Sequence, residues 1–155
     1  MADIYSSLPY NFFSKKPLEV KFSGLDLSSD AGLLLIRQAE QGQQICQGLT
    51  QCLEDQREPS KIKHTMSQLV SQRIYQIAGG YEDANDSNYL RHDPILKIAC
   101  ERVPIVGEEL LASQPTITRL ENQVTKKELA AIRRLFVERF IQAHLSCSQR
   151  DYSRC

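Results

Sequence analysis

The sequence predicts a mainly α fold, a multi-helix domain with one small β strand or hairpin near residues 18–27. Three observations carry this. Apolar residues recur at intervals of three and four along most of the chain, two threonines each stand three residues ahead of a glutamine or glutamate at the start of such a stretch, and strict alternation occurs once, at 18–22. A length of 155 residues, 41% of them hydrophobic, is enough for one independently buried core.

Residues 1–17 hold Pro9, Lys15, Lys16 and Pro17 with little periodicity, and read as a partly ordered arm. Leu18, Val20 and Phe22 then alternate with Glu19 and Lys21 up to a Ser23-Gly24 break, which is the β signal. Ser28 or Ser29 is placed to cap a helix carrying Leu33, Leu34, Leu35 and Ile36, and Gly42 separates it from a second pattern of Ile45, Leu49, Cys52 and Leu53. Thr65 and Gln68 have capping-box spacing ahead of Met66, Leu69, Val70, Ile74 and Ile77, and Gly79 with Gly80 ends that helix. Asp83 and Asp93 stand at N-cap positions of two short helices, the second opening on Pro94 and running through 100. Another short helix is expected after Pro104 through 112. Thr125 and Glu128 repeat the box ahead of Leu129, Ile132, Leu135, Phe136, Phe140 and Ile141, predicting the longest helix, 126 to about 144. The helical domain is thus 18–144, and 145–155, with one aliphatic residue, is expected to be a disordered tail.

Nineteen basic and nineteen acidic side chains cancel, unlike a chain that grips nucleic acid by net charge alone. The charges are unevenly placed, however. Between 22 and 56, Asp26, Asp30, Glu40, Glu54 and Asp55 face only Arg37, whereas 57–73 carries Arg57, Lys61, Lys63 and Arg73, and 113–144 carries Arg119, Lys126, Lys127, Arg133, Arg134 and Arg139. Each basic cluster reads either as a phosphate contact or as a solvated helix face. The five cysteines, at 46, 52, 100, 147 and 155, form no Cys-x-x-Cys pair, which argues against a disulfide framework or zinc knuckle and for free buried thiols at the first three. His64, His92 and His144 lack the spacing of paired metal ligands, and the carboxylates of 82–93 suit helix caps better than a metal site. No apolar run spans a bilayer and no leader pattern opens the chain, so a cytoplasmic protein is expected.

Residues 104–123 have the outline of a helix-turn-helix: a short helix with Leu110 and Leu111, a turn through Ser113-Gln-Pro115, then a helix capped by Thr116. In that arrangement Thr116, Thr118, Arg119 and Asn122 point into a DNA groove, arginine toward guanine and asparagine toward adenine, with Lys61, Lys63 and Arg133 as further nucleic-acid contacts. The competing reading is simple packing between longer helices.

Four blocks carry a family resemblance: Ser-Ser-Asp-Ala-Gly-Leu-Leu-Leu-Ile-Arg (28–37), Gln-Arg-Ile-Tyr-Gln-Ile-Ala-Gly-Gly-Tyr-Glu-Asp-Ala-Asn-Asp (72–86), Leu-Arg-His-Asp-Pro (90–94) and Ser-Gln-Pro-Thr-Ile-Thr-Arg-Leu-Glu-Asn (113–122). Together they resemble the N-terminal third of bacterial DDE-type insertion-sequence transposases, closest to the family numbered thirteen-eighty. The resemblance implies that the complete protein binds the terminal inverted repeats of its element as DNA partner. It further implies three acidic residues that hold divalent Mg or Mn on a ribonuclease-H-like fold, the first on a hydrophobic strand just after the long helix.

Here that helix is followed by Leu-Ser-Cys-Ser-Gln-Arg-Asp-Tyr-Ser-Arg-Cys (145–155), so the catalytic sheet is expected to be absent and the tail to be out of the family frame. On that expectation the chain is a truncated transposase, not an enzyme, with no catalytic residue, no metal ligand and no cofactor of its own. It would comprise the DNA-contacting, dimer-forming portion. The alternatives are a helical module that pairs with full-length transposase and inhibits it, or a non-functional remnant.

Overall fold

Thr65 and Gln68 form the reciprocal cap expected of them: the Gln68 amide donates to Thr65 Oγ1 (3.2 Å) and the Thr65 amide to Gln68 Oε1 (3.0 Å). The helix that they open is the centre of the fold. A computed structural model describes residues 8–10, 18–20, 30–104 and 109–151, with side chains over 30–104 and 109–144. Its elements are β1 (Leu8–Tyr10), β2 (Leu18–Val20), α1 (Leu33–Gln43), α2 (Ile45–Gln51), α3 (Met66–Ala78), α4 (Ser87–Leu90), α5 (Pro94–Ala99), α6 (Gln114–Gln123) and α7 (Lys126–Asp151). The molecule is mainly helical.

Leu18–Val20 pairs antiparallel with Leu8–Tyr10, Leu8 opposite Val20. The hairpin expected within 18–27 is not shown, since 21–29 lie outside the described residues, as do the proposed caps Ser28 and Ser29. Leu33 and Leu34 of α1 are buried while Leu35 and Ile36 face solvent. Gly42 does not separate the first two helices. It lies inside α1, and the break comes at Gln44, whose left-handed backbone (φ 52°) lets its amide bond back to the Glu40 carbonyl. Gly80 serves the equivalent turn after α3, at φ 91°.

Two apolar clusters flank α3. One gathers Cys46, Leu49, Met66, Leu69, Val70, Ala112, Ile117 and Leu120, with Ile132 and Leu135 of α7 packed against it. The other gathers Leu33, Tyr75, Leu90, Leu96, Ala99, Cys100 and Leu111. Leu111 and Ala112 are adjacent in sequence yet enter different clusters. The helix expected after Pro104 through 112 is indeed not formed over 109–112. The backbone amides are taken elsewhere: that of Leu111 donates to the Arg91 carbonyl (3.2 Å), and that of Ala112 to Gln72 Oε1 (2.8 Å). Gln72 Nε2 returns a bond to the Ala112 carbonyl (2.9 Å).

The two aspartates cap as predicted. Asp93 accepts from the Leu96 amide (2.7 Å) with Pro94 in the first turn, and Asp83 accepts from the Asn85 amide (2.9 Å). At the second box, the Glu128 amide donates to Thr125 Oγ1 (3.3 Å) and the Thr125 amide to Glu128 Oε2 (2.7 Å). Glu128 Oε1 also accepts from the Glu54 amide (2.8 Å), tying the start of α7 to the end of the α2 region. Close approach at Gly48 completes that seat: a Cβ there would meet both methyls of Leu135 at 3.0 Å. The helix expected to end near His144 continues to Asp151. Residues 145–151 contain neither Gly nor Pro, and extending an existing helix adds a hydrogen bond for each residue ordered.

Two outcomes follow for stability. Gln72→Leu leaves the fully buried Ala112 peptide without partners for its N–H and C=O, costing about 2 to 4 kcal/mol, or roughly 5 to 15 °C in Tm. A Tm within 2 °C of wild type would refute the role given to Gln72. The Thr125 hydroxyl and the amides around Glu128 hold its carboxyl at about 2, below the ordinary 4.5. A depressed acid stabilises the fold above its unfolded pKa and loses that contribution as pH falls through the folded value. Glu128→Gln should therefore melt below wild type at pH 7, the gap narrowing between pH 4.5 and 2; a gap independent of pH would contradict it.

Candidate nucleic-acid interface

Helix α6 buries Ile117 and Leu120, three residues apart, and so turns Thr118, Arg119 and Asn122 outward together. Arg119 and Asn122 are exposed and Thr118 is half-buried, its hydroxyl accepting from Gln114 Nε2 at 2.9 Å. Thr116 sits on the flank of the helix, half-buried, and is not the cap that sequence suggested: Ser113 holds the N-cap position. The start of α6 is satisfied from a distance instead, where the Gln114 amide donates to Asn88 Oδ1 (3.1 Å). Its last turn is clamped by Glu121, which accepts from Arg73 Nε at 2.6 Å. Arg73 also donates to the carbonyls of Tyr81 and Glu82, so one arginine fixes α6, α3 and the turn beyond α3 relative to one another.

With 109–113 non-helical, the helix-turn-helix expected across 104–123 is not the local arrangement. What the chain offers is α6, a two-residue turn at Val124 and Thr125, then α7. Arg133 is exposed on α7, as are Lys126 and Lys127 at its start. Lys61 and Lys63 are exposed on the separate stretch after Pro59. The structure therefore brings Thr118, Arg119 and Asn122 onto one face and leaves Lys61, Lys63 and Arg133 on other supports.

The two basic stretches differ in what their charges do. Arg57 lies across Asp55 with two contacts of 2.7 Å and donates to the His64 carbonyl, Arg73 is held by Glu121, and Lys61 pairs with Glu58 at 2.6 Å. These arginines build the fold. Among the described residues, Lys63, Arg119, Lys126, Lys127, Arg133 and Arg134 make no ion pair within 4.0 Å. Burial, followed by the positive charges of Arg102, Arg91, Arg57 and Lys63, pushes the His64 pKa below its usual value.

A cleft of about 400 Å³ lies among α1, α3 and the end of α5, lined by Arg37, Glu40, Cys46, Ser71, Cys100 and Glu101 among others. Arg37 is bonded to Glu101 and lies beside Tyr75, and is buried. Burial pushes Cys46 up to about 11 and Cys100 up as well, so neither thiol is a ready nucleophile. Cys46, Cys52 and Cys100 are free thiols, Cys52 only half-buried.

Divalent-metal chemistry of the DDE kind needs three converging carboxylates. Among the described residues no three His, Cys, Asp or Glu side chains come together to hold a metal ion, and Asp83 and Asp93 are engaged as caps. The described residues do not fit that group. Nor is any helix among the described residues long and apolar enough to cross a membrane.

Comparison with known proteins adds one finding. The family model described as transposase DDE domain group 1 matches residues 11–150, extending past His144, where the chain was expected to leave the family's pattern. No curated protein and no solved structure gave a match. Since the match covers most of its length, this chain belongs to the transposase DDE domain group 1 family.

Proposed function

We propose that this chain is the DNA-contacting helical part of an insertion-sequence transposase, in the group numbered thirteen-eighty, and that it binds the terminal inverted repeats of its element. The observation that carries this reading is the outward face of α6. There Arg119 and Asn122 stand exposed beside Thr118 on a helix whose start and last turn are fixed by Asn88 and by the Arg73–Glu121 pair. Arginine and asparagine are the side chains that read guanine and adenine edges bidentately, and a rigid support is what base reading requires. Lys63, Lys126, Lys127 and Arg133 supply phosphate contacts, and Lys61 does so by exchanging Glu58 for a phosphate. We assign strand cleavage to none of the described residues, because their carboxylates are dispersed or engaged in capping.

A formal charge of zero makes the phosphate contribution modest. Affinity for duplex DNA should fall with salt at a log-log slope of about −0.9 per phosphate contacted, measured by fluorescence anisotropy. On element-end DNA, Arg119→Ala should weaken binding about tenfold while changing affinity for random duplex less than about twofold. Equal losses on both would make Arg119 a backbone contact, and salt-independent binding would remove the DNA reading altogether.

A further inference from the structure

The Leu-Arg-His-Asp-Pro block (90–94) is only partly used by the fold. Leu90 is core, and Asp93 with Pro94 opens α5, but the half-buried Arg91 makes no ion pair within 4.0 Å among the described residues. Its Nε is buried without an acceptor, and so is Nε of Arg102. Buried guanidinium donors in that state are uncommon, because burial removes the water that would otherwise serve them. The chain brings these two arginines together. The Arg91 carbonyl accepts from the Leu111 amide (3.2 Å), and two residues earlier Glu109 reaches Arg102 Nη1 (3.4 Å). Arg102 Nη2 donates to Gln68 Oε1 (2.8 Å) and lies 3.5 Å from His64 Nδ1, next in sequence to the exposed Lys63. Arg57 adds a fourth cation, donating to the His64 carbonyl (3.0 Å). Among the described residues, the carboxylates within 4.0 Å of these four cations are Asp55 and Glu109. Arg57 occupies Asp55 with two contacts of 2.7 Å, whereas Glu109 touches Arg102 once, at long range, from a side chain 51% exposed to solvent.

We propose that Arg91, Arg102 and Lys63 form a phosphate site, in which a backbone phosphate of bound DNA takes the place that Glu109 holds beside Arg102. The proposal rests on the DNA reading given above, and a free phosphate is the other source of the same chemistry. A phosphate suits these donors better than a carboxylate does. Its tetrahedral oxygens meet donors converging from three segments at once, and a guanidinium edge turned toward it pairs Nε and Nη with two of them side by side. Glu109 is a weak competitor, since a half-exposed pair with one long contact contributes little. The position also suits the duplex. Asn88 and Arg91 stand three apart on the α4 turn, with about 5 to 6 Å between such Cβ atoms, and Asn88 holds the start of α6. The site thus adjoins the N-terminal end of the helix assigned to base reading.

Two titrations of the full chain test the site, one with inorganic phosphate followed by histidine ring-proton NMR, the other with duplex DNA followed by fluorescence anisotropy. Millimolar phosphate should raise the His64 pKa by offsetting the cations around it, leave His144 unmoved, and lose this effect in Arg91→Gln. With DNA, Arg91→Gln and Lys63→Gln should each lower the log-log salt slope by about 0.9 and weaken element-end and random duplex alike. Glu109→Gln should tighten the binding of both ligands. Each variant is accepted only with a wild-type Tm; if Arg91→Gln melts early, Lys63→Gln, which removes an exposed side chain without an ion pair, carries the test. Unchanged salt slopes in both variants overturn the proposal, even where Arg119→Ala still lowers the preference for element ends. A loss confined to element-end DNA makes Arg91 a base contact and overturns the phosphate assignment. A His64 response to phosphate in a chain that binds no DNA keeps the site, assigns it to a free phosphate, and overturns the DNA reading instead.

Discussion

The side-chain amide of Gln72 is the interaction on which the arrangement of the rest depends. By donating to the Ala112 carbonyl and accepting from its amide, it does for one peptide what a neighbouring strand would do, at a place where neither water nor secondary structure is available. That fixes an extended segment between the two apolar clusters, sends Leu111 into one and Ala112 into the other, and so sets where α6 can begin. One turn along α3, Gln76 accepts from Ser87 Oγ (3.2 Å), carrying the same polar seam toward α4. A purely apolar α3 would pack either cluster without specifying the path of the chain between them.

Electrical neutrality takes a different meaning once the pairs are seen. Arg37, Arg57, Arg73 and Arg102 pair with Glu101, Asp55, Glu121 and Glu109, so four of the nineteen acidic side chains are opposed by arginines that also bond backbone carbonyls or other side chains. Arginine suits such positions because its planar fork reaches several acceptors at once. The positive charges left over belong largely to α6, α7 and the stretch around Lys63, so a chain with no net charge still presents basic surface. Summed charge hides this, because it weighs a buried tie and a solvent-facing side chain equally.

Local interactions were the legible ones. Both capping boxes, the aspartate caps and the glycine stop after α3 depend on residues two to four apart, and spacing alone reveals them. Interactions between distant segments were not. The helix expected through 112 is displaced by bonds to Arg91 and Gln72, and Thr116 is displaced as cap by the contact from Asn88; the left-handed turn at Gln44 rather than Gly42 is a local feature that spacing did not reveal. Ile77, placed on the apolar stripe, is half exposed, while Gln72 and Gln76, which that stripe does not include, are buried. At the candidate site, three of the four α6 residues expected to enter a groove share a face because helical periodicity placed them there. That Arg73 would hold α6 in position rather than contact DNA depends on Glu121, forty-eight residues away, and no pattern in the sequence joins the two.

The seat of α7 has a mechanical consequence. Two of its ties to the body of the molecule, Glu128 to the Glu54 amide and Leu135 against Gly48, lie in its first three turns, and the helix runs on to Asp151. At 1.5 Å per residue, about 24 Å of helix lies beyond Leu135. A tilt of a few degrees at the fulcrum, of the size a single added methyl at position 48 would force, displaces the far end by an ångström or more. Gly48 therefore controls the aim of the arm as much as its attachment, and anything held along the distal turns inherits its position from one glycine on another helix.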